Sequence, residues 1–270
     1  MRYSGDLAAI QQSLARCHDL VARRVAVLAA LDAGVSDVVL EVGCGGGTYL
    51  REIATAVGEQ GRAIGYDVSP DQVAAARQYC SGLTNVTIET GDLAGLAIGD
   101  ETVDAVVAVQ ALEYVADVDR ALREIRRVSR PGGRLVNVAT NWSALFWSGG
   151  DPSLTSAVLT AWEQHAFYPN LPVELPRRLH AAGFGATTQQ PLTIVNRRFH
   201  PNSFSWWAAQ LMGAYALGSG TLDRNDIDAW LSSLVDADAA GTHFLSSVPI
   251  LTVATALPRT TSLTTKSTRR

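Results

Sequence analysis

Apolar and polar residues alternate along the first half of the chain in the rhythm of short strands and amphipathic helices. Through residues 1–34, apolar residues recur at steps of three and four, which is the spacing of one helix face. Further along, short apolar runs bounded by glycine, proline or acidic residues are typical of strands covered on both faces. The predicted strands comprise residues 38–42, 62–67, 86–89, 103–109 and 135–139.

Helical patterns lie between most of these runs. One helix is expected to begin at Ser69-Pro70, because serine is a good N-cap and proline fits the first helical position. Another spans 119–128 and is stopped by Pro131-Gly132-Gly133. Strands and helices that alternate with short connections predict an α/β fold with a doubly wound parallel sheet, in which ligands bind at the carboxyl ends of the strands.

The rhythm changes after residue 140, where tryptophan and scattered proline become frequent. Two late strands after a long excursion favour a hairpin that closes one edge of the sheet. The predicted elements are helices at 153–165, 175–182, 203–217 and 226–237, and strands at 187–199 and 243–257.

Composition narrows the class of protein. The chain has 270 residues, of which 47% are apolar and 18% charged, so a large core is possible. A net charge of −4 argues against nucleic acid as the partner. Three scattered cysteines form neither a disulfide framework nor a metal-binding spacing, so we expect no metal site. Apolar runs too short to span a bilayer, together with no signal-peptide pattern, predict a cytoplasmic protein without membrane insertion.

The stretch Val38–Thr48, VVLEVGCGGGT, carries the first chemical signal. A strand that breaks into a glycine-rich turn before a helix lets a ligand approach the backbone closely. A dinucleotide-binding pattern starting at Gly43 needs a glycine at position 48, where the chain has Thr48. Asp67, at the end of the second strand, suits ribose hydroxyls with either type of ligand. Glu41 disfavours a pyrophosphate but suits an ammonium or sulfonium group.

Three further motifs, YDVSP, TGDL and RVSRPGGRL, follow EVGCGGGT in order, and together the four resemble the class I S-adenosylmethionine-dependent methyltransferases. The similarity is greatest to the small-molecule branch that includes ubiquinone and menaquinone biosynthesis. It is specific over residues 37–140 and weakens to a likeness of topology over 141–257.

The resemblance implies a Rossmann-like fold with a mostly parallel seven-stranded sheet, an antiparallel edge strand and helical inserts over the active site. S-adenosyl-L-methionine is then the cofactor and S-adenosyl-L-homocysteine its product. We expect one methyltransferase domain over 1–257 and a disordered tail over 258–270. Within the domain we distinguish an N-terminal helical cap at 1–36, a cofactor-binding core at 37–140, an acceptor-side insert at 141–242 and a last strand at 243–257.

The resemblance also assigns cofactor-binding residues position by position. Residues 41–47 line the methionine part, Asp67 binds the ribose with Val68 packing on the adenine, and Asp92 with Leu93 holds the adenine edge. Gln110 lies under the sulfonium. The complete predicted set is Glu41, Gly43, Cys44, Gly45, Asp67, Val68, Asp92, Leu93 and Gln110.

The acceptor side is less well specified. Aromatic residues after residue 140 predict an apolar pocket for a hydrophobic or aromatic small molecule, with Trp142, Trp147 and Trp162 as candidate substrate contacts. Packing of these rings onto the sheet is the competing interpretation. Glu113 and His165 are the candidate catalytic residues. The competing interpretation of Glu113 is a capping or surface carboxylate, and that of His165 is a partly buried histidine hydrogen-bonded to a backbone group.

Two other functions compete with methyl transfer. One is a protein that binds the same cofactor but catalyses a cyclisation or rearrangement, or only senses the cofactor. The other is a nicotinamide oxidoreductase, disfavoured by Thr48 and Glu41. No Asn/Asp-Pro-Pro-Tyr/Phe motif follows the fourth strand, which argues against methylation of amino groups in DNA or protein. The partner expected is a small-molecule methyl acceptor, and the chain is expected to be a monomer or homodimer.

Overall fold

A central sheet of seven strands organises the described part of the chain, which is residue 10 and residues 12–259 of a computed structural model. The start of the predicted N-terminal helix and nearly all of the predicted tail, 258–270, lie outside the described residues. The strands are β1 Val38–Val42, β2 Arg62–Asp67, β3 Val86–Thr90, β4 Val103–Val109, β5 Ser129–Thr140, β6 Phe146–Ser148, β7 Phe184–Pro191, β8 Ile194–Asn196, β9 Phe244–Ser247 and β10 Pro249–Ala256.

Helices cover both faces of this sheet and continue into the second half of the chain. Two short 3₁₀ turns, Leu112–Tyr114 and Trp142–Ala144, follow β4 and β5. The helices are α1 His18–Leu31, α2 Thr48–Val57, α3 Pro70–Tyr79, α4 Val118–Val128, α5 Pro152–Trp162, α6 Leu171–Ala182, α7 Phe204–Gly218 and α8 Arg224–Ala239.

The strand order is β3-β2-β1-β4-β5-β10-β7. The first five strands are parallel, and β10 runs antiparallel to both β5 and the edge strand β7. The predicted seven-stranded, mostly parallel sheet closed by two late strands is therefore confirmed. The chain changes direction across the sheet between β1 and β4, so their carboxyl ends form the crevice where ligands bind in such folds.

Several predicted boundaries change for identifiable reasons. Residues 243–257 were expected to form one strand but form two, because Pro249 begins a new strand after Ser247 and each strand joins a different sheet. Residues 187–199 likewise divide into β7 and β8. Strand β5 begins at Ser129 rather than 135, since Pro131-Gly132-Gly133 is accommodated by a register shift against β4.

The second half of the chain adds a small sheet that the sequence pattern did not predict. Its order is β6-β9-β8, and all pairings are antiparallel. Its buried face packs with α5, α7 and α8 in an aromatic-rich core that includes Trp147, Trp162 and Trp230. Within the described residues, none of the helices is long and apolar enough to span a membrane.

Candidate functional site

A cavity of about 1160 Å³ lies at the carboxyl ends of the central strands. Its floor is the loop after β1 together with the ends of β2 and β4, and its roof is formed by α1 and α7. All nine residues predicted to bind the cofactor line this cavity. They are Glu41, Gly43, Cys44, Gly45, Asp67, Val68, Asp92, Leu93 and Gln110. Residues from three of the four sequence motifs, together with Gln110, thus lie on one surface.

The glycine loop is held against the neighbouring strand ends by backbone contacts. The N–H groups of Gly43 and Cys44 both donate to the Tyr66 carbonyl, at 2.7 and 3.0 Å. Gly43 has φ of 69°, and a Cβ there would lie 2.5 Å from the Cβ of Ala111 in the loop after β4. Only glycine fits at this point, because both the conformation and the space exclude a side chain.

Asp67 ties the loop to the end of β2. One carboxylate oxygen accepts from the Gly45 N–H and the other from the Ser69 N–H, both at 2.9 Å. A carboxylate oxygen can accept more than one hydrogen bond, so Asp67 retains capacity for ligand hydroxyl groups. Next to it, the Val68 side chain is exposed although apolar, as expected where a flat ring would cover it.

A polar group closes the end of the cavity near the glycine loop. Glu41 is buried, and its Oε2 atom has no hydrogen-bond partner among the described residues. Burial raises the pKa of Glu41 well above its usual range, and the negative charge of Asp67 adds to this effect. A buried oxygen without a partner requires a ligand or water to satisfy it.

Arg23 and Tyr49 meet Glu41 at this end, and the sequence analysis did not identify them. The Arg23 Nε atom is buried without a hydrogen-bond partner in the described chain. Burial raises the pKa of the Tyr49 hydroxyl, while the nearby Arg23 guanidinium opposes that rise. Because Arg23 comes from α1, well before the glycine loop, no motif connects it to the site.

Glu113 lies behind the cavity wall and does not line it. It is fully buried in the 3₁₀ turn after β4, and both carboxyl oxygens lack a partner among the described residues. Burial raises the pKa of Glu113 to about 8, so the side chain is protonated at neutral pH. The turn points Glu113 and Leu112 into the core and leaves Tyr114 on the cavity side.

His165 also lies one layer away from the cavity. Its ring is stacked on Trp162 with 3.8 Å between centroids, and its Nδ1 atom contacts the Trp162 backbone carbonyl. Burial lowers the pKa of His165 to about 4, so the ring is neutral at pH 7. Neither candidate catalytic residue therefore lines the cavity.

Two of the three predicted tryptophans, Trp142 and Trp162, line the cavity, and Trp147 does not. Alternation along β6 exposes Phe146 and turns Trp147 into the core, where it packs edge-on against Trp230 at 5.5 Å. The apolar wall is completed by residues whose role the sequence did not specify, which are Leu14, Leu20, Tyr114, Phe167, Phe204, Ala208, Leu211 and Met212.

The cavity thus has two chemically different ends. Acidic side chains and backbone groups surround the glycine loop, whereas indole, phenyl and aliphatic groups form the opposite wall. Such an arrangement can hold a polar nucleoside-like ligand beside an apolar one and exclude water between them.

Comparison with known proteins finds a family match in the core of the chain. Residues 39–133 match the family model described as a methyltransferase domain. The chain is 34% identical over 239 residues to an uncharacterized 37.1 kDa protein in transposon TN4556 of Streptomyces fradiae, covering 86% of this chain and 66% of that protein. It is 37% identical over 141 residues to a demethylmenaquinone methyltransferase of Thermobifida fusca, covering 48% of this chain and 59% of that protein. The chain thus spans less than two thirds of either curated relative.

Solved structures share the fold at low sequence identity. The [4+2]-cyclase SpnF matches with a TM-score of 0.57 and 23% identity, over 88% of this chain and 81% of that chain. This likeness extends beyond the 39–133 core into the second half of the molecule. It establishes a common architecture and does not identify the reaction that the chain catalyses.

Proposed function

We propose that the chain is a class I S-adenosylmethionine-dependent methyltransferase that transfers a methyl group from S-adenosyl-L-methionine to a hydrophobic or aromatic small molecule. One observation carries this proposal. A single cavity joins the glycine loop and the acidic strand ends to a wall of aromatic and aliphatic side chains. A cofactor and an apolar acceptor can therefore lie side by side in it.

The polar end of the cavity fits the cofactor. Asp67 would accept from the ribose hydroxyls, and Asp92 would accept from the adenine amino group while Val68 packs on the ring. At the same end, the Glu41 Oε2 and Arg23 Nε atoms, which have no hydrogen-bond partner among the described residues, match the ammonium and carboxylate of the methionine part. When bound, the cofactor supplies an electrophilic methyl group on a sulfonium.

The apolar end determines what the protein contributes to the reaction. On the wall formed by Trp142, Trp162, Phe167 and α7, none of the described cavity-lining side chains is ionised at neutral pH. The protein would therefore act by aligning the acceptor with the methyl group and by excluding water. An aromatic acceptor is supported by this wall and by the quinone substrate in the name of the Thermobifida fusca relative.

Ligand-dependent thermal stability tests the cofactor assignment. S-adenosyl-L-homocysteine should raise the melting temperature and NADH should not, because a ligand stabilises only the folded state that binds it. Asp67→Ala should abolish the shift. Glu89→Gln is the matched control, since Glu89 is an exposed acid on the adjacent β3 outside the cavity. A shift with NADH alone would refute the assignment.

Radiolabel transfer tests the reaction itself. The protein is incubated with methyl-labelled S-adenosyl-L-methionine and a panel of phenols, naphthols and chemically reduced quinones, and labelled product is extracted. Product from at least one acceptor supports the proposal. The alternative function is a cyclisation or rearrangement, and it is supported by the neutral acceptor wall and by the likeness to SpnF. It predicts that the protein binds S-adenosyl-L-homocysteine but yields no labelled product from any acceptor.

A further inference from the structure

Phe167 is the exposed aromatic ring of the acceptor wall. It lines the cavity, yet it is 66% exposed, whereas Trp142, Trp162 and Phe204 line the same cavity and are at most 8% exposed. The two indole rings pack against each other and against His165. No aromatic ring among the described residues makes such a contact with Phe167. Its ring is therefore a surface of the cavity that the protein itself leaves uncovered.

A comparison with Val68 indicates what covers this ring. Among the described residues, Val68 and Phe167 are the exposed large apolar side chains that line the cavity. They belong to its two different ends, since Val68 follows Asp67 at the end of β2 and Phe167 is part of the acceptor wall. In the proposed function the adenine ring of the cofactor covers Val68. Phe167 is then left for the acceptor, and covering an exposed apolar ring is favourable because it removes apolar surface from water.

The segment that carries Phe167 is fixed to both 3₁₀ turns of the acceptor wall. The Tyr168 backbone N–H donates to the Glu113 carbonyl in the turn after β4, at 3.1 Å. The Trp142 backbone N–H, in the turn after β5, donates to the Pro169 carbonyl at 3.0 Å. Phe167 is therefore presented next to both turns before a ligand arrives, and a backbone that is already ordered loses little entropy on binding.

We propose that Phe167 is a specificity-determining residue whose ring packs on the ring of the methyl acceptor, so that the site prefers aromatic acceptors over saturated ones of similar size. This inference rests on the proposed function and narrows its acceptor from hydrophobic or aromatic to aromatic. Two aromatic rings in offset-stacked or edge-on contact attract each other beyond the gain from buried area. The same contact would keep water away from the transferred methyl group.

Two acceptor-like ligands test this preference without requiring turnover. They are 1-naphthol and decahydro-1-naphthol, which has the same ring skeleton and hydroxyl group but no aromatic ring. Their affinities are measured by calorimetry in the presence of saturating S-adenosyl-L-homocysteine. Phe167→Leu keeps an apolar side chain but removes the ring, so 1-naphthol affinity should fall about fivefold while decahydro-1-naphthol affinity changes less than about twofold. The ratio of the two affinities is compared between proteins, because the intrinsic hydrophobicity of each ligand then cancels.

Phe146→Leu is the matched control. Phe146 is also an exposed phenylalanine, at 56%, but it lies on β6 outside the cavity, where it is edge-on to Phe244 at 6.0 Å. This variant should leave both affinities unchanged. S-adenosyl-L-homocysteine affinity and the melting temperature of the unliganded protein should stay the same in Phe167→Leu, because an exposed ring contributes little to folding.

The outcomes distinguish this inference from the proposed function. An unchanged affinity ratio in Phe167→Leu, or equal losses for the two ligands, would overturn the inference alone. A fall in S-adenosyl-L-homocysteine affinity in that variant would also overturn it, because Phe167 would then cover the cofactor. Absence of 1-naphthol binding by the wild-type protein, with S-adenosyl-L-homocysteine still bound, would overturn the acceptor class and the role of Phe167 together. Failure to bind S-adenosyl-L-homocysteine would overturn the cofactor assignment in the proposed function itself.

Discussion

The two ends of the cavity are built by different structural means. Around the glycine loop, the ligand-facing groups are backbone amides and short acids at the ends of adjacent parallel strands, β1 to β3. On the acceptor wall, they are long side chains from α1, α7 and two 3₁₀ turns, held by contacts between aromatic rings. The first end is therefore fixed by sheet register, and the second by side-chain packing.

This difference predicts that the two ends respond differently to mutation. A change in the backbone conformation of the loop should remove cofactor binding altogether, because no neighbouring group can replace a misplaced amide. A change in one ring of the acceptor wall should alter affinity by degrees, because several rings share the contact.

The largest effect on ligand affinity is expected for Gly43→Ala. Its Cβ would lie 2.5 Å from the Cβ of Ala111, at a φ of 69°. Relief of that contact has to separate the loop after β1 from the loop after β4, both of which line the cavity. Affinity for S-adenosyl-L-homocysteine, measured by calorimetry, should fall by about a hundredfold or more, which corresponds to roughly 3 kcal/mol.

Gly82→Ala is the control for strain alone. Gly82 has φ of 89°, but a Cβ there would meet nothing within 4 Å, and the residue lies outside the cavity. It should cost about 1–2 kcal/mol of folding free energy and leave cofactor affinity unchanged. Equal losses of affinity in the two variants would show that the loop does not depend on its close approach to Ala111.

The accuracy of the predictions made from the sequence also differs between the two ends of the cavity. Strands β1, β2 and β4 were predicted to the residue, because buried parallel strands are continuous apolar runs with clear ends. The predicted cofactor residues came from the family resemblance, and they lie together because strand ends meet at one edge of the sheet. The strand prediction depends on local pattern, and the site prediction depends on the resemblance together with the topology.

The acceptor wall could not be predicted in this way. Trp147 was expected in the pocket, but its direction depends on the pairing of β6 with β9, nearly a hundred residues later in the chain. Glu113 and Tyr114 are adjacent, and the turn geometry alone determines that the tyrosine faces the cavity. Side-chain direction in short irregular segments is set by tertiary contacts that a single sequence does not display.

The second prediction concerns Glu113, which is buried behind the cavity wall in the turn after β4. Its pKa is raised to about 8 in the folded protein from an ordinary value of 4.5, so the folded state holds the proton that the unfolded chain releases. The free energy of unfolding should therefore fall as pH rises between about 4.5 and 8, by on the order of 5 kcal/mol from this residue.

Glu113→Gln should remove this component of the pH dependence. Urea unfolding of both proteins at several pH values between 5 and 8.5 measures it as the difference in slope. Contributions from Glu41, whose pKa is also raised, and from His165, whose pKa is lowered, are common to both proteins and cancel. Parallel pH profiles would mean that Glu113 is solvated in the folded state.

A smaller effect on ligand affinity than that of Gly43→Ala is expected for Trp142→Leu on the acceptor wall. The indole lines the cavity and lies edge-on to Trp162 at 5.6 Å. Leucine keeps the surface apolar but loses ring area, so 1-naphthol affinity should fall about tenfold, or roughly 1.4 kcal/mol. The affinity for S-adenosyl-L-homocysteine should not change, and a parallel loss would show that the two ends of the cavity are not independent.

The smallest effect on either ligand is expected for Trp147→Phe, which tests where the acceptor wall stops. Trp147 packs against Trp230 and lies opposite Leu245 in the small sheet, in the same aromatic core as Trp162 but away from the cavity. Loss of buried ring area should lower the free energy of unfolding by about 1–2 kcal/mol. Affinities for both ligands should stay within about twofold, because the wall-forming rings retain their own contacts. A fall in 1-naphthol affinity comparable to that of Trp142→Leu would instead mean that the small sheet sets the position of the acceptor wall, and the acceptor end would then extend through the whole second core.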